Sequence, residues 1–278
     1  MAKRSVRELL LADPSASDGA LGSVDPASTP GVGSKAKALA KLPELHERVF
    51  ELQERLWAEH RRSLLLVLQG MDTSGKDGTI KHVIGGLDPA GARIVSFKQP
   101  TAEERRHDFL WRIRRGLPAP GQVGIFNRSH YEDVLVVRVH GLVPPAVWRA
   151  RYDEINRFEA EVEGSGTRLV KVVLHISPEE QGLRLLARLD DPTKRWKFDA
   201  NDLRERRRWP DYRRAYADAV RRCSTEVAPW FVVPADRKWY RNWAVTNLLL
   251  ETLEDMAPVY PEPPLDLPAL RAALAPGG

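Results

Sequence analysis

The chain has 278 residues, 42% hydrophobic and 29% charged, with a net charge of +5 and a pI near 9.4. That length holds one large domain with terminal extensions, and no apolar run approaches the ~20 residues of a membrane span. A single cysteine, Cys223, excludes an internal disulfide and fits a reducing cytoplasm, and the start MAKRSVRELLLADPSASDG turns polar too quickly for a secretory signal.

Residues 11–34 are rich in Ser, Asp, Pro, Gly and Ala without periodicity, which predicts a mobile arm, here taken as 1–34. From 35 to 62, Leu39, Leu42, Val49, Leu52, Leu56 and Trp57 recur at helical spacing. The apolar run Leu64–Leu68 then predicts a buried strand over 64–69. It ends in GMDTSGK, a complete G-x-x-x-x-G-K match from Gly70 to Lys76, and TIKHVIGGL behind it suits a helix over 76–85. Strand, glycine loop and helix together cradle phosphate: loop N–H groups and the helix start hold its oxygens, and the lysine neutralises it. A glycine-rich turn without phosphate is the bland alternative, but the flanking strand and helix supply the required context. Two departures stand out. Asp77 replaces the Ser or Thr whose hydroxyl usually ligates Mg²⁺, and Asp72 places an acid inside the cradle, where only an intervening cation makes it tolerable.

Further along, strands are predicted at 92–97, 122–126, 168–176 and 230–233. Helices are predicted at 101–115, 144–164, 178–189, 201–223 (with a break near Pro210) and 238–255. Strands alternating with helices of this length predict a parallel sheet covered on both faces, in one α/β domain over 35–256. A proline-rich tail over 257–278 is expected to wrap the surface. Ligands of such sheets bind at the carboxyl ends of the strands. The strand ending at Phe97 leads into Lys98-Gln99-Pro100-Thr101, where Lys98 either meets an acceptor nucleotide or is simply solvated. The strand GQVGIF leads into NRSHYED. Ser129 there can cap a helical turn whose acids favour its dipole. With Asp72, however, Glu132 and Asp133 offer the oxygen ligands that Mg²⁺ requires, and Arg128 can grip phosphate.

The positive charge is concentrated. From Lys194 to Arg214 nine basic residues face four acids, a net +5 equal to that of the whole chain, with Trp196, Phe198, Trp209 and Tyr212 interleaved. A solvated amphipathic face and a single-stranded nucleic-acid surface are both compatible with this pattern. Beside a phosphate loop, the stronger expectation is a helical lid at about 192–222 that closes over the site and surrounds a transferring phosphoryl group with positive charge.

Taken together, the chain resembles the polyphosphate kinase 2 family. The resemblance is carried by GMDTSGKDGTIKHV (70–83), SFKQPTAEERRHDFLWR (96–112), IFNRSHYEDVLVVRVHG (125–141), RWKFDANDLRERRRWPDY (195–212) and PADRKWYRNWAV (234–245), in family order. It implies a P-loop kinase-like fold similar to thymidylate kinase, with a helical lid. It implies a Mg²⁺-dependent phosphotransferase (Mn²⁺ as a substitute) that carries phosphate from inorganic polyphosphate to AMP and/or ADP, with GMP and GDP as further candidates. FNRSHYEDVLVVRVH looks like the subgroup acting on both nucleoside mono- and diphosphates.

The residues expected to carry the chemistry follow. Catalytic roles fall to Asp72, Lys76, Arg128 and Asp133, and metal ligation to Asp72 and Asp133. Phosphate and polyphosphate are expected at Gly70, Ser74, Gly75, Lys76, Asp77, Gly78 and Lys81, and at Lys194, Arg195, Lys197, Arg206 and Arg208 of the lid. The acceptor nucleotide is expected at Lys98, Pro100, Arg128 and Glu132. Neither nucleic acid nor membrane is expected as a partner, and a homo-oligomer is. An ATP-dependent nucleotide or small-metabolite kinase, a nucleic-acid-binding module, and a P-loop protein that binds nucleotide without turnover are the competing readings.

Overall fold

Leu64–Leu68 lies at the centre of a five-stranded parallel sheet in a computed structural model that describes residues 4–16 and 21–275. Every residue of β1 (Ser63–Gln69) is buried. Around it the order is β2 (Ala92–Ser96), β3 (Val123–Asn127), β1, β4 (Thr167–His175), β5 (Trp230–Pro234). Because side chains alternate along a strand, Leu64, Leu66 and Leu68 enter one core and Leu65 and Val67 another. The continuous apolar run therefore reports a strand covered twice.

The first face is covered by α2 (Lys35–Glu59), α3 (Lys76–Ile84) and α10 (Lys238–Met256), through Leu52, Leu56, Ile80, Val83, Trp243 and Leu248 among others. The second face takes α4 (Trp111–Gly116), the single turn α5 (Val136–Val139), α6 (Pro145–Gly164) and α9 (Trp209–Cys223), through Ile113, Val139, Ile155, Phe158, Tyr216 and Val220. The chain leaves β1 through α3 on the first face and leaves β3 through α6 on the second. Adjacent strands whose connections diverge in this way open a crevice at their carboxyl ends, and the site lies there.

Three expectations change. The single helix over 101–115 is instead a short 3-10 turn at Glu104–Arg106 followed by α4. Thr101 and Glu104 cap each other reciprocally, and Asp108 accepts from the Leu110 N–H, so local side-chain bonds interrupt the helix. The break expected near Pro210 is present at Arg208, between α8 (Ala200–Arg207) and α9. Only its cause differs, because Pro210 sits in the first turn of α9, where its missing N–H costs nothing.

The arm expected to be mobile is docked over residues 4–16 and 21–34; residues 17–20 lie outside the described residues. Its helix α1 (Val6–Leu10) buries Val6 and Leu10 and aims two N–H groups at the Glu251 carboxylate. Ala12 then donates to the Trp230 carbonyl along the β5 edge, and the carbonyls of Pro26, Ala27 and Pro30 accept from Asp236, Arg237 and Tyr240. Turn-forming composition reported the shape of this segment, not whether a surface awaited it. The tail lays Tyr260 against Glu54 and ends in an exposed helix, α11 (Leu267–Leu274), that the sequence reading did not include.

Candidate phosphoryl-transfer site

The glycine loop bends where only glycine fits. Gly70 has φ +152°, and a Cβ there would come within 2.8 Å of the Leu174 carbonyl and 2.7 Å of Ser74 Oγ. Gly75 has φ +102°, and its missing Cβ leaves the space that the Arg241 guanidinium fills. All six carbonyls from Gly70 to Gly75 are engaged. Lys76 Nζ donates to Gly70 (2.6 Å) and Met71 (3.3 Å), and the Thr79 N–H donates to Gly75 (2.9 Å). Gln181 Nε2 takes the Asp72 carbonyl at 3.0 Å. Arg184, on α7 (Pro178–Asp190), takes those of Thr73 (2.9 Å) and Ser74 (3.0 Å), and Arg241 adds a second bond to Ser74 (3.3 Å). With the carbonyls bound, and the Gly70 and Ser74 N–H groups given to the Tyr216 hydroxyl and the Met71 carbonyl, the other loop N–H groups and the start of α3 are the donors that face an anion. Burial, aggravated by Arg184 beside it, pushes Arg241 down to about 10. Burial also lowers the Lys76 pKa, against the opposing pull of Asp72.

At the end of β3 the chain turns sharply. Arg128 takes φ +64° and donates its N–H to the Leu68 carbonyl, which brings the NRSHYED turn against the phosphate loop. Its guanidinium reaches both Asp72 and Glu132 at 3.6 Å, and these carboxylates hold its pKa up against the cost of burial. Ser129 caps the following 3-10 turn and also accepts from Gln69. Burial raises Glu132. Burial also raises Asp133, to about 6, although Arg151 lies 3.0 Å from its carboxylate. Asn127 ties the same strand end to Asp77 at 2.8 Å.

Beneath this turn lies a dry ionic network. Lys171, wholly buried on β4, donates to Glu159 (2.5 Å), to the Tyr131 hydroxyl (2.9 Å) and to the Cys223 carbonyl (2.6 Å). Tyr131 and His130 both reach Glu159. Removing one partner of such a pair leaves a buried uncompensated charge and costs roughly 3–5 kcal/mol. This network fixes His130 and Tyr131, two of the three residues between Arg128 and Glu132.

The cleft above holds about 730 Å³. Of the expected site residues, Gly70, Asp72, Lys76, Lys98, Pro100, Arg128, Glu132 and Asp133 line it. Ser74 and Gly75 lie behind the loop surface, while Asp77, Gly78 and Lys81 are exposed on α3. The lid cations are outside the cleft wall. Lys194 pairs with Asp191, Arg195 donates to the Leu189 carbonyl, and Lys197 lies 5.0 Å from the Trp196 ring centre. Arg206 donates to Pro178 and Gln181, and Arg208 to the Val139 carbonyl. The lid nonetheless roofs the site, because Asn201 and Glu205 of α8 line the cleft, and Glu205 meets His140 (3.0 Å) and Tyr212 (2.7 Å).

Sequence reasoning missed Gln181, Arg184, Arg241 and the Lys171–Glu159 pair. Two signals were present: a lysine inside the apolar run RLVKVVLHI, and an arginine in the middle of the quoted PADRKWYRNWAV.

No three His, Cys, Asp or Glu side chains among the described residues converge to hold a metal. The donor set is nevertheless one that suits Mg²⁺: hard carboxylate oxygens beside a phosphate cradle, where the ion takes one or two protein ligands and the rest from phosphate and water.

The family model described as Polyphosphate kinase 2 (PPK2) matches residues 33–260. The AMP/ADP-polyphosphate phosphotransferase of Meiothermus ruber is 52% identical over 231 residues, covering 83% of this chain and 86% of that one. The ADP-polyphosphate phosphotransferase of Rhodopseudomonas palustris is 46% identical, covering 78% and 79%. The crystal structure of Polyphosphate Kinase 2 from Arthrobacter aurescens TC1 superposes with a TM-score of 0.94 at 48% identity, covering 98% of this chain and 97% of that one. With a P-loop, a strand-end arginine and two flanking acids assembled under a basic lid, this chain belongs to the polyphosphate kinase 2 family.

Proposed function

We propose that this chain transfers the terminal phosphoryl group of inorganic polyphosphate to AMP and to ADP. The observation that carries the reading is the joint cleft: a phosphate loop with Lys76 faces Arg128 and a second, separately basic wall. The relatives named as acting on AMP, ADP or both support the choice of acceptor. The donor's terminal phosphate is assigned to Lys76 and the loop N–H groups, with the rest of the polyanion running under the lid cations Lys194, Lys197, Arg206 and Arg208. The acceptor's phosphate is assigned to the opposite wall, at Lys98 and Arg128, with Pro100 and Glu132 beside it.

An oxygen of the acceptor phosphate attacks the donor's terminal phosphorus in line. A new P–O bond forms, the bridging P–O bond breaks, and the leaving chain is one phosphate shorter. The attacking oxygen is already anionic near neutral pH, so no general base is required. Asp72 orients the reactants instead. Arg128, which bridges Asp72 and Glu132 in the free protein, is positioned to exchange a carboxylate for the phosphoryl oxygens where charge builds. Mg²⁺, with Mn²⁺ as a substitute, would be held by Asp72 and Asp133 and would neutralise charge on the transferring oxygens.

We place the reaction in the cytoplasm, a reading supported by the single buried Cys223. No described helix is long and apolar enough to cross a membrane. Self-association is supported by the exposed stripe Leu39, Phe50 and Trp57 along α2.

The decisive assay gives the protein Mg²⁺, AMP or ADP, and polyphosphate as sole donor. ADP and ATP should appear, and Lys76→Ala should abolish them. Phosphorylation of AMP by ATP but not by polyphosphate would select an ordinary nucleotide kinase instead.

A further inference from the structure

The lid and the phosphate loop meet at one buried amide. Gln181, in the first turns of α7 and 3% exposed, donates from Nε2 to the Asp72 carbonyl at 3.0 Å. Its Oε1 accepts from Arg206 of lid helix α8 at 2.9 Å, and the same guanidinium nitrogen donates to the Pro178 carbonyl at 2.6 Å. The amide has only one workable orientation. A guanidinium offers donors alone and a carbonyl accepts alone, so a flipped Gln181 would lose both bonds.

What Gln181 holds is a strained turn. Thr73, a β-branched residue, takes the left-handed φ of +64°. Conformations of this kind are unfavourable for a β-branched residue and persist only where the surroundings over-determine them. Here the carbonyl before Thr73 is held by Gln181 and the carbonyl after it by Arg184, one helical turn further along the same face of α7. The Asp72 peptide sets where the Asp72 carboxylate points, and that carboxylate lies 3.6 Å from Arg128.

We propose that Gln181 is a positioning residue that couples the seating of lid helix α8 to the orientation of Asp72. With α8 seated, Arg206 fixes the amide oxygen and thereby aims the amide nitrogen at the loop. When α8 lifts, the amide loses that constraint and the Asp72–Thr73 turn relaxes. The phosphate site is then fully assembled only beneath a closed lid, so that transfer is tied to exclusion of water. This inference rests on the polyphosphate-dependent transfer proposed above.

Gln181→Met tests it, because methionine matches the length, adds no charge and makes neither bond. The expected result is a kcat about tenfold lower, with KM for polyphosphate within about twofold and a native circular dichroism spectrum at the assay temperature. A purely packing role predicts a methionine variant with wild-type kcat, which would overturn the proposal. Hydrogen exchange supplies a second readout: polyphosphate with Mg²⁺ should protect both the loop at 71–76 and α8 in the wild type. In Gln181→Met the loop should stay protected while protection of α8 falls, and equal protection of α8 in both proteins would also overturn it. Should the methionine variant fail to fold, Gln181→Glu keeps an acceptor for Arg206, loses the donor to Asp72, and must show the same loss of kcat. Absence of turnover in the wild type refutes the functional reading, whereas an active wild type with an indifferent methionine variant refutes the coupling alone.

Discussion

The glycine loop and the lid above it are both dense in groups suited to phosphate, but they hold them in opposite ways. In the loop each carbonyl from Gly70 to Gly75 has a donor, supplied by Lys76, Thr79, Gln181, Arg184 or Arg241. Its binding groups are oriented before any ligand arrives. In the lid, Trp196 is 78% exposed with Lys197 against its ring, and Lys194 pairs with Asp191 at the surface. Preorganised dipoles favour the transition state of a short chemical step, because they need not reorganise when charge builds. Exposed cations on a surface element suit capture of a polyanion whose length varies, where ordering any one contact gains little. The difference predicts that loop substitutions act on kcat and substitutions of the exposed lid cations Lys194 and Lys197 on KM.

The largest effect belongs to the loop. Lys76→Ala should lower kcat about 10³-fold with the fold intact by circular dichroism, because no other group replaces the half-buried cation proposed to meet the transferring phosphate. Arg128→Ala should follow with a loss of about 10²-fold. Arg128→Lys should recover little of this, since one ammonium cannot bridge two oxygen partners as the guanidinium bridges Asp72 and Glu132. A lysine variant with near wild-type kcat would mean that Arg128 acts only as a charge. In the lid, Lys197→Ala should raise KM for polyphosphate a few-fold at unchanged kcat. It should also shallow the dependence of log KM on log salt, because one fewer counterion is released. If Lys197→Ala lowers kcat instead, the contrast between a chemical loop and a capturing lid fails. A salt-independent KM in the wild type would remove the polyanion groove altogether.

How far the sequence could be read follows the same division between local and long-range bonds. All five strands were found to within about one residue, because each carries a short apolar stretch bounded by turn residues, even β2 at the sheet edge, where Ile94 is exposed. The loop and the NRSHYED turn were found because their chemistry lies at strand ends, where α/β sheets bind ligands. Gln181 and Arg184 were invisible for a different reason: each binds loop carbonyls more than a hundred positions away, and nothing local marks a residue for that task. The charge of Arg206 and Arg208 was plain, but not that backbone carbonyls would engage them in this arrangement. The helix over 101–115 failed because Thr101, Glu104 and Asp108 bond to nearby backbone, a competition that apolar spacing does not reveal.

The smallest effects come from titration, and they again set the cleft against a distant part of the fold. Burial raises Asp133 from 3.8 to about 6, so between about pH 4 and pH 6 the folded chain binds more protons than the unfolded one. This carboxyl therefore supports folding at low pH, and its contribution is lost as pH rises through about 6. The maximal slope for one proton is about 1.4 kcal/mol per pH unit. Behind the loop, the rings of His46 on α2 and His82 on α3 lie 4.9 Å apart, with neither Nε2 hydrogen-bonded. Burial lowers both pKa values, and Arg241 further disfavours the charged form of His82. Below pH 6.5 the unfolded chain therefore takes up protons that the folded one refuses, and stability falls with acid. The two trends oppose each other at pH 4–6 and partly cancel. Asp133→Asn should unmask the histidine slope, so that the urea midpoint drops more steeply from pH 6.5 to pH 4.5 than in the wild type. Replacing both His46 and His82 with Gln should do the reverse and flatten the fall, His130 and His175 keeping the share that their own burial-lowered pKa values supply. Parallel midpoint curves for all three proteins would show that neither the cleft carboxyl nor the histidine pair carries the pH dependence of folding.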